Sequence, residues 1–128
     1  MNNVTAYLCC DGAAKAIDFY SAAFGAEEVS RWPEPDGRLG HAEMRIGETT
    51  LYLSDEFPQY GAIAPKSLGG TTVAFVLSVD DVDGMWTRAV AAGATIDRPL
   101  ADSPVGRGGW LRDPFGHRWN VMTPAAGE

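Results

Sequence analysis

The chain has 128 residues, 45% apolar and 21% charged, a balance that suits one globular domain able to bury a core without disulfides or a structural metal. Its net charge of −7 argues against nucleic acid, which is held through clustered Lys and Arg, and against anionic membrane surfaces. The N-terminus has no charged, apolar leader and no stretch approaches the roughly 20 apolar residues of a membrane span. With two adjacent cysteines, Cys9 and Cys10, badly placed for a mutual disulfide, this predicts a reduced, cytoplasmic protein.

Residues 3–10, "NVTAYLCC", are apolar and β-rich and predict a strand. "DGAAKAIDFYSAAFGA" predicts a helix, with Asp11 as N-cap, Ala13, Ala16, Ile17, Tyr20 and Phe24 on one stripe, and Gly25 as its stop. "EEVSRW" predicts a short strand and "PEPDG" a turn. "RLGHAEMRIG" and "ETTLYLSD" follow as a hairpin. Residues 55–70 form a long Gly/Pro-bearing connection, of a length that marks a linker or a functional loop.

The second half repeats this order. "TTVAFVLSV" is a strand, "DDVDGMWTRAVAAGA" a helix capped by Asp80 or Asp81 and stopped at Gly93, and "TIDRP" a short strand. "RGGWLRD" and "HRWNVMT" are two more, joined by a "DPFG" turn. "FGA" at 24–26 matches "AGA" at 92–94, and "AYL" at 6–8 matches "AFV" at 74–76. The expected fold class is therefore α+β: one domain over 1–128, built of two βαβββ modules (about 3–54 and 71–123) joined by loop 55–70.

The pieces "AIDFYSAAFGA", "GHAEMRIG", "SLGGTTVAFVLSVDDVD", "AVAAGA" and "RDPFGHRW" resemble the vicinal oxygen chelate superfamily of glyoxalases, bleomycin-resistance proteins and ring-cleaving dioxygenases, and more narrowly its PhnB-like branch. The resemblance covers nearly the whole chain. It implies a curved mixed sheet around a cleft, commonly in a homodimer. It also implies a divalent metal held by His, Gln or Glu from four strands, at positions corresponding here to Thr5, Tyr52, Ala74 and Asn120. Divalent cations in such sites take imidazole and carboxylate donors, and a residue shift of one at Tyr52 or Ala74 restores none. The expectation is a protein without cofactor or metal ligands.

Side chains alternate along a strand, so Thr5, Tyr7 and Cys9 share a face, as do Ala74, Val76 and Ser78, and Arg118, Asn120 and Met122. Trp119 and Val121 then pack under a helix. Gly40, Ala42, Met44 and Ile46 fall on the outer face of their strand, and Leu39, His41, Glu43 and Arg45 on the inner one. His41 and Glu43 stand about 6.5–7 Å apart on one face. They are the candidate catalytic pair for proton transfer, against a plain hydrogen-bonded pair at a cleft rim. Trp110 is placed to stack on a planar ligand, with Arg45 or Arg118 holding an anionic group, or else to pack in the core or a dimer contact. Thr5, Tyr7, Arg45, Tyr52, Ala74, Trp110, Arg118 and Asn120 make up the candidate ligand-binding set. The expected function is binding of a small organic molecule or antibiotic in the cleft. The alternative is lyase or isomerase chemistry using His41 and Glu43.

Overall fold

Alternating apolar residues on the strands and one apolar stripe on each long helix give each half of the chain a face that must be covered. The computed structural model describes residues 1–126. The first half runs β1 (Tyr7–Cys9), α1 (Ala13–Phe24), β2 (Glu27–Pro33), β3 (Leu39–Ile46) and β4 (Thr49–Ser54). The connection carries a 3₁₀ turn (Pro58–Tyr60) and a short helix, α2 (Pro65–Leu68). The second half runs β5 (Ala74–Ser78), α3 (Val82–Ala92), β6 (Thr95–Ser103), β7 (Gly106–Arg112) and β8 (Arg118–Pro124). The result is an α+β fold of two separate four-stranded mixed sheets, ordered β1-β4-β3-β2 and β5-β8-β7-β6. The β1–β4 and β5–β8 pairs are parallel and the rest antiparallel.

The helices lie on the outer faces of the sheets and pack on each other. Leu8, Ala42, Met44, Leu51 and Leu53 from the first sheet and Leu111, Trp119 and Val121 from the second join one buried core with both helices. Phe24 of α1 stands 4.8 Å, centroid to centroid, from Trp119 of β8, which stands 4.8 Å from Phe75 of β5. Burying each such ring contributes roughly 1.5–3 kcal/mol, so the aromatic cluster bonds one half to the other. Gly109 on β7 is required by this packing, because a Cβ there would lie 2.6 Å from the Trp86 indole of α3.

Two buried carboxylates fasten the frame. Asp113, at the head of the "DPFG" turn, accepts the backbone N–H of Phe115 (2.9 Å) and of His117 (3.0 Å) on Oδ1. Its Oδ2 accepts Trp119 Nε1–H (2.9 Å) and the hydroxyl of Tyr20 from α1. Asp55 accepts Gly12 and Ala13 N–H on Oδ1 (both 2.9 Å) and Leu39 N–H on Oδ2 (2.7 Å). It is therefore Asp55, from the far end of β4, that satisfies the first amides of α1. The expected cap, Asp11, is exposed; the N-cap position is Gly12, with φ of 103°. On α3 the cap is Asp81, which accepts Gly84 N–H at 3.0 Å.

Four further expectations are corrected. The first strand is only Tyr7–Cys9, and Thr5 lies exposed before it, with just the Ala6 carbonyl continuing the ladder to Tyr52. Leu39 is buried in the core, because a register shift between Trp32 and Pro33 breaks the alternation at that end of β3. The "TIDRP" strand extends to Ser103. It is an edge strand, where Pro99 removes no sheet hydrogen bond that a neighbour needs, and its register shifts around Arg98. The "AYL"/"AFV" likeness is out by one in space: Tyr7 stands opposite Tyr52 as Val76 stands opposite Asn120.

Replacing Asp113 with Ala leaves a buried phenol, an indole N–H and two amides without their acceptor. The expected loss is about 3 kcal/mol or more of unfolding free energy, read as a lower urea midpoint at unchanged m-value, whereas Asp36→Ala on the exposed turn stays within about 0.5 kcal/mol.

Candidate functional site

The helices cover one face of each sheet and leave the other open. On the first sheet the open face is a row fixed by register: Tyr7 (β1), Tyr52 (β4), Glu43 (β3) and Ser30 (β2), with Trp32 opposite His41 beside it. Leu8, Leu51 and Leu53, which alternate with the phenols, are buried on the other side. The His41 ring lies 5.3 Å from Tyr7, 4.9 Å from Tyr52 and 5.1 Å from Trp32, mostly edge to face. Tyr7 and Trp32 are each 55% exposed, so this aromatic floor faces outward.

The polar atoms of the floor form a chain. His41 Nδ1 is 2.6 Å from the Tyr7 hydroxyl, and its Nε2 is 3.3 Å from Glu43 Oε1. Partial burial, with Cys9 and Tyr52 adding to it, pushes the Tyr7 phenol up, so Tyr7 is a neutral hydroxyl at ordinary pH.

The second sheet presents the equivalent row in other chemistry: Val76 (β5), Asn120 (β8), Trp110 (β7) and Arg98 (β6). Ala74, Arg118 and Arg112 form the next row. The Arg118 guanidinium sits 4.8 Å over the Trp110 ring, a cation–π contact that holds both side chains along the sheet. Asn120 Nδ2–H donates to the Gly109 carbonyl at 3.1 Å, and Arg112 pairs with Asp97 at 3.1 Å. Val76 is 66% exposed.

A cavity of about 1040 Å³ opens beneath the 57–73 connection, lined by Tyr7, Cys9, Phe57, Ile63, Phe75 and His117 among others. A smaller one of about 230 Å³ is lined by Trp110, Asn120, Met122 and Arg98. His117 is buried and donates Nε2–H to the Cys9 carbonyl at 2.8 Å, tying the start of β8 to the end of β1. Cys9 and Cys10 are free and point to opposite sides, Cys10 into the core.

The structure thus gathers Tyr7, His41, Glu43 and Tyr52 on one face and Ala74, Trp110, Arg118 and Asn120 on the other. Arg45 is exposed on the same face one row further along, opposite Glu27 and Thr50, and Thr5 lies outside the strand. Trp32 and Arg98 are the additions. Their place was hidden by register shifts on β2 and β6, though the pairing of a hairpin partner with His41 is a signal that points to Trp32. Among the described residues no three His, Cys, Asp or Glu side chains converge as a metal site. At the positions that the resemblance assigns to metal ligands, Ala74 offers a methyl group and Asn120 an amide already hydrogen-bonded to Gly109, a poor donor set for a divalent ion.

Cys9 is pushed up to about 11 by burial, with Glu56, Asp55 and Asp11 adding to it, and Cys10 is raised further, mainly by burial. Iodoacetamide should therefore alkylate Cys9 slowly near neutral pH, with a rate rising about tenfold per pH unit from about 7 to 9, while Cys10 stays unmodified until the chain unfolds. Fast alkylation at neutral pH, read by mass spectrometry, would contradict that environment.

Comparison with known proteins agrees with this architecture. Uncharacterized protein Rv0887c of Mycobacterium tuberculosis is 48% identical over 122 residues, covering 92% of this chain and 72% of that protein. Anthracycline biosynthesis protein DnrV of Streptomyces peucetius is 32% identical over 90% of this chain, which spans only 38% of DnrV. Among solved structures, TioX from Micromonospora sp. ML1 superposes with a TM-score of 0.72 at 29% identity, each chain 99% covered. The PhnB protein of Bacillus cereus gives 0.74 at 20% identity over 95% of this chain and 99% of that one, a likeness of fold. Residues 2–121 match the family described as Glyoxalase/Bleomycin resistance protein/Dioxygenase superfamily, and the chain belongs to that superfamily.

Proposed function

We propose that this protein binds a planar small organic molecule, without a metal, between an aromatic–acidic face and an aromatic–basic face. The observation that carries the reading is the pair of open sheet faces, where Tyr7, Trp32 and Val76 remain more than half exposed on sheets whose other sides carry the buried core. Apolar and aromatic surface of this kind is costly to leave in water, and a flat ligand recovers that cost by stacking on it.

The two faces lie on separate sheets, so the cleft is proposed to close in a homodimer, the first sheet of one copy facing the second sheet of its partner. Tyr52, Asn120 and Ala74 then act as contact surface. The similarity to an anthracycline biosynthesis protein makes a fused-ring, oxygenated natural product a reasonable ligand class, and the acidic chain suits a basic one. The cytoplasm is the compartment that two free thiols fit. A second reading rests on the Tyr7–His41–Glu43 chain, which offers a route for a proton removed from a bound molecule, as an isomerase or lyase of this superfamily requires.

Titration of the metal-free protein with an anthracycline, followed by tryptophan fluorescence, should show saturable binding. Trp110→Ala should weaken it about tenfold, in the range lost when one stacking partner of an aromatic ligand is removed. A flat titration, or binding that appears only when one equivalent of divalent metal is added, would defeat the proposal.

A further inference from the structure

The hydrogen-bond polarity of the first face is settled by its acidic end. The Glu43 carboxylate only accepts hydrogen bonds, so the His41 Nε2 that faces it at 3.3 Å carries the imidazole proton. In the neutral imidazole Nδ1 is then the acceptor, and the 2.6 Å contact with Tyr7 has the phenol donating its proton to His41. Tyr7 has one proton, and it is committed to His41 along the face. What Tyr7 offers to a ligand is an oxygen with free lone pairs, on a ring that lies 5.6 Å, centroid to centroid, from the Tyr52 ring and lines part of the 1040 Å³ cavity.

We infer that Tyr7 determines specificity by accepting a hydrogen bond, so that the site prefers ligands bringing a hydroxyl or N–H donor to this point over ligands bringing only a carbonyl or ether oxygen. An isolated tyrosine would serve either kind, because its hydroxyl rotates. Here His41 and Glu43 remove that freedom. Glu43 acts as a positioning residue two bonds away from the contact, and Tyr7 is the group that touches the ligand. The inference rests on the planar-ligand reading above and deepens it.

The matched probes are 2-naphthol and 2-methoxynaphthalene, which differ by a donor and are otherwise alike in ring and stacking area. Their affinity ratio is measured by fluorescence titration for the native protein and for Tyr7→Phe and Glu43→Gln. The native protein should favour naphthol, and Tyr7→Phe should lower the ratio about three- to tenfold, the range of one neutral hydrogen bond, while leaving methoxynaphthalene binding nearly unchanged. Glu43→Gln, whose side-chain amide can donate as well as accept, lets the chain run in either direction and should lower the ratio part of the way. A role of Glu43 in folding alone would weaken both probes together. If both probes bind and Tyr7→Phe leaves the ratio at its native value, the inference about Tyr7 is overturned and the planar-ligand reading stands. If neither probe binds the native protein, both fall.

Discussion

The Asp113 carboxylate is the constraint on which the arrangement of the chain depends. It is buried, and a buried carboxylate persists only where donors surround it. Two of its four donors are amides of its own turn, which fixes the start of β8. The third is the indole of Trp119 on that strand, and the fourth is the phenol of Tyr20 on the helix of the other module. The turn cannot form in this environment without the helix beside it, and the helix cannot bury Tyr20 without the turn. His117, held to the Cys9 carbonyl, repeats the coupling a few residues on. The outer faces of both sheets are thereby locked against the helices, and the inner faces are what the molecule has left to use.

Those inner faces show what the internal repeat preserves. Row for row, Tyr7, Tyr52, Glu43 and Ser30 on the first sheet occupy the places of Val76, Asn120, Trp110 and Arg98 on the second. No equivalent pair of positions carries the same chemistry in both rows. The scaffold positions, by contrast, agree in kind: buried alternate residues on the strands, a helix stop at Gly25 and Gly93, and a carboxylate at each helix start. Membership of a superfamily that spans resistance proteins and dioxygenases therefore specifies the frame and leaves the reaction to the faces.

The order of elements was legible because each long helix carries a single apolar stripe and ends on glycine, and because most strands alternate. Local signals were enough for Asp81, which caps its own helix. They failed at Asp11, because the first amides of α1 are served by Asp55, some forty residues distant in sequence, and no local pattern marks such a contact. The placement of His41 with Glu43 followed from strand parity, whereas the contact of Arg118 with Trp110 joins two strands and needed their register. The bond from Tyr7 to His41 did not follow from parity, since it joins β1 to β3 across the intervening β4 and depends on strand order. Leu39 and Trp32 were obscured by register shifts, which break the period of two on which such reasoning relies.

In the proposed homodimer the unlike polarity of the two faces has a directional consequence for anything held between them. The first face ends in an acceptor, the Tyr7 oxygen, backed by the negative charge of Glu43. The second carries guanidinium groups at Arg98, Arg112 and Arg118, of which Arg112 is neutralised by Asp97 and Arg118 is drawn onto an indole face. A flat molecule with a donor at one edge and oxygen acceptors at the other satisfies both faces in one orientation. Turned over, it sets its acceptors against the Tyr7 lone pairs and Glu43, and its donor against cations that cannot accept. In the proposed complex, stacking on Tyr52 and Trp110 would be tolerant of ring type, so affinity would come from the rings, whereas orientation would come from the unlike polarity of two rows that the same fold places in equivalent positions.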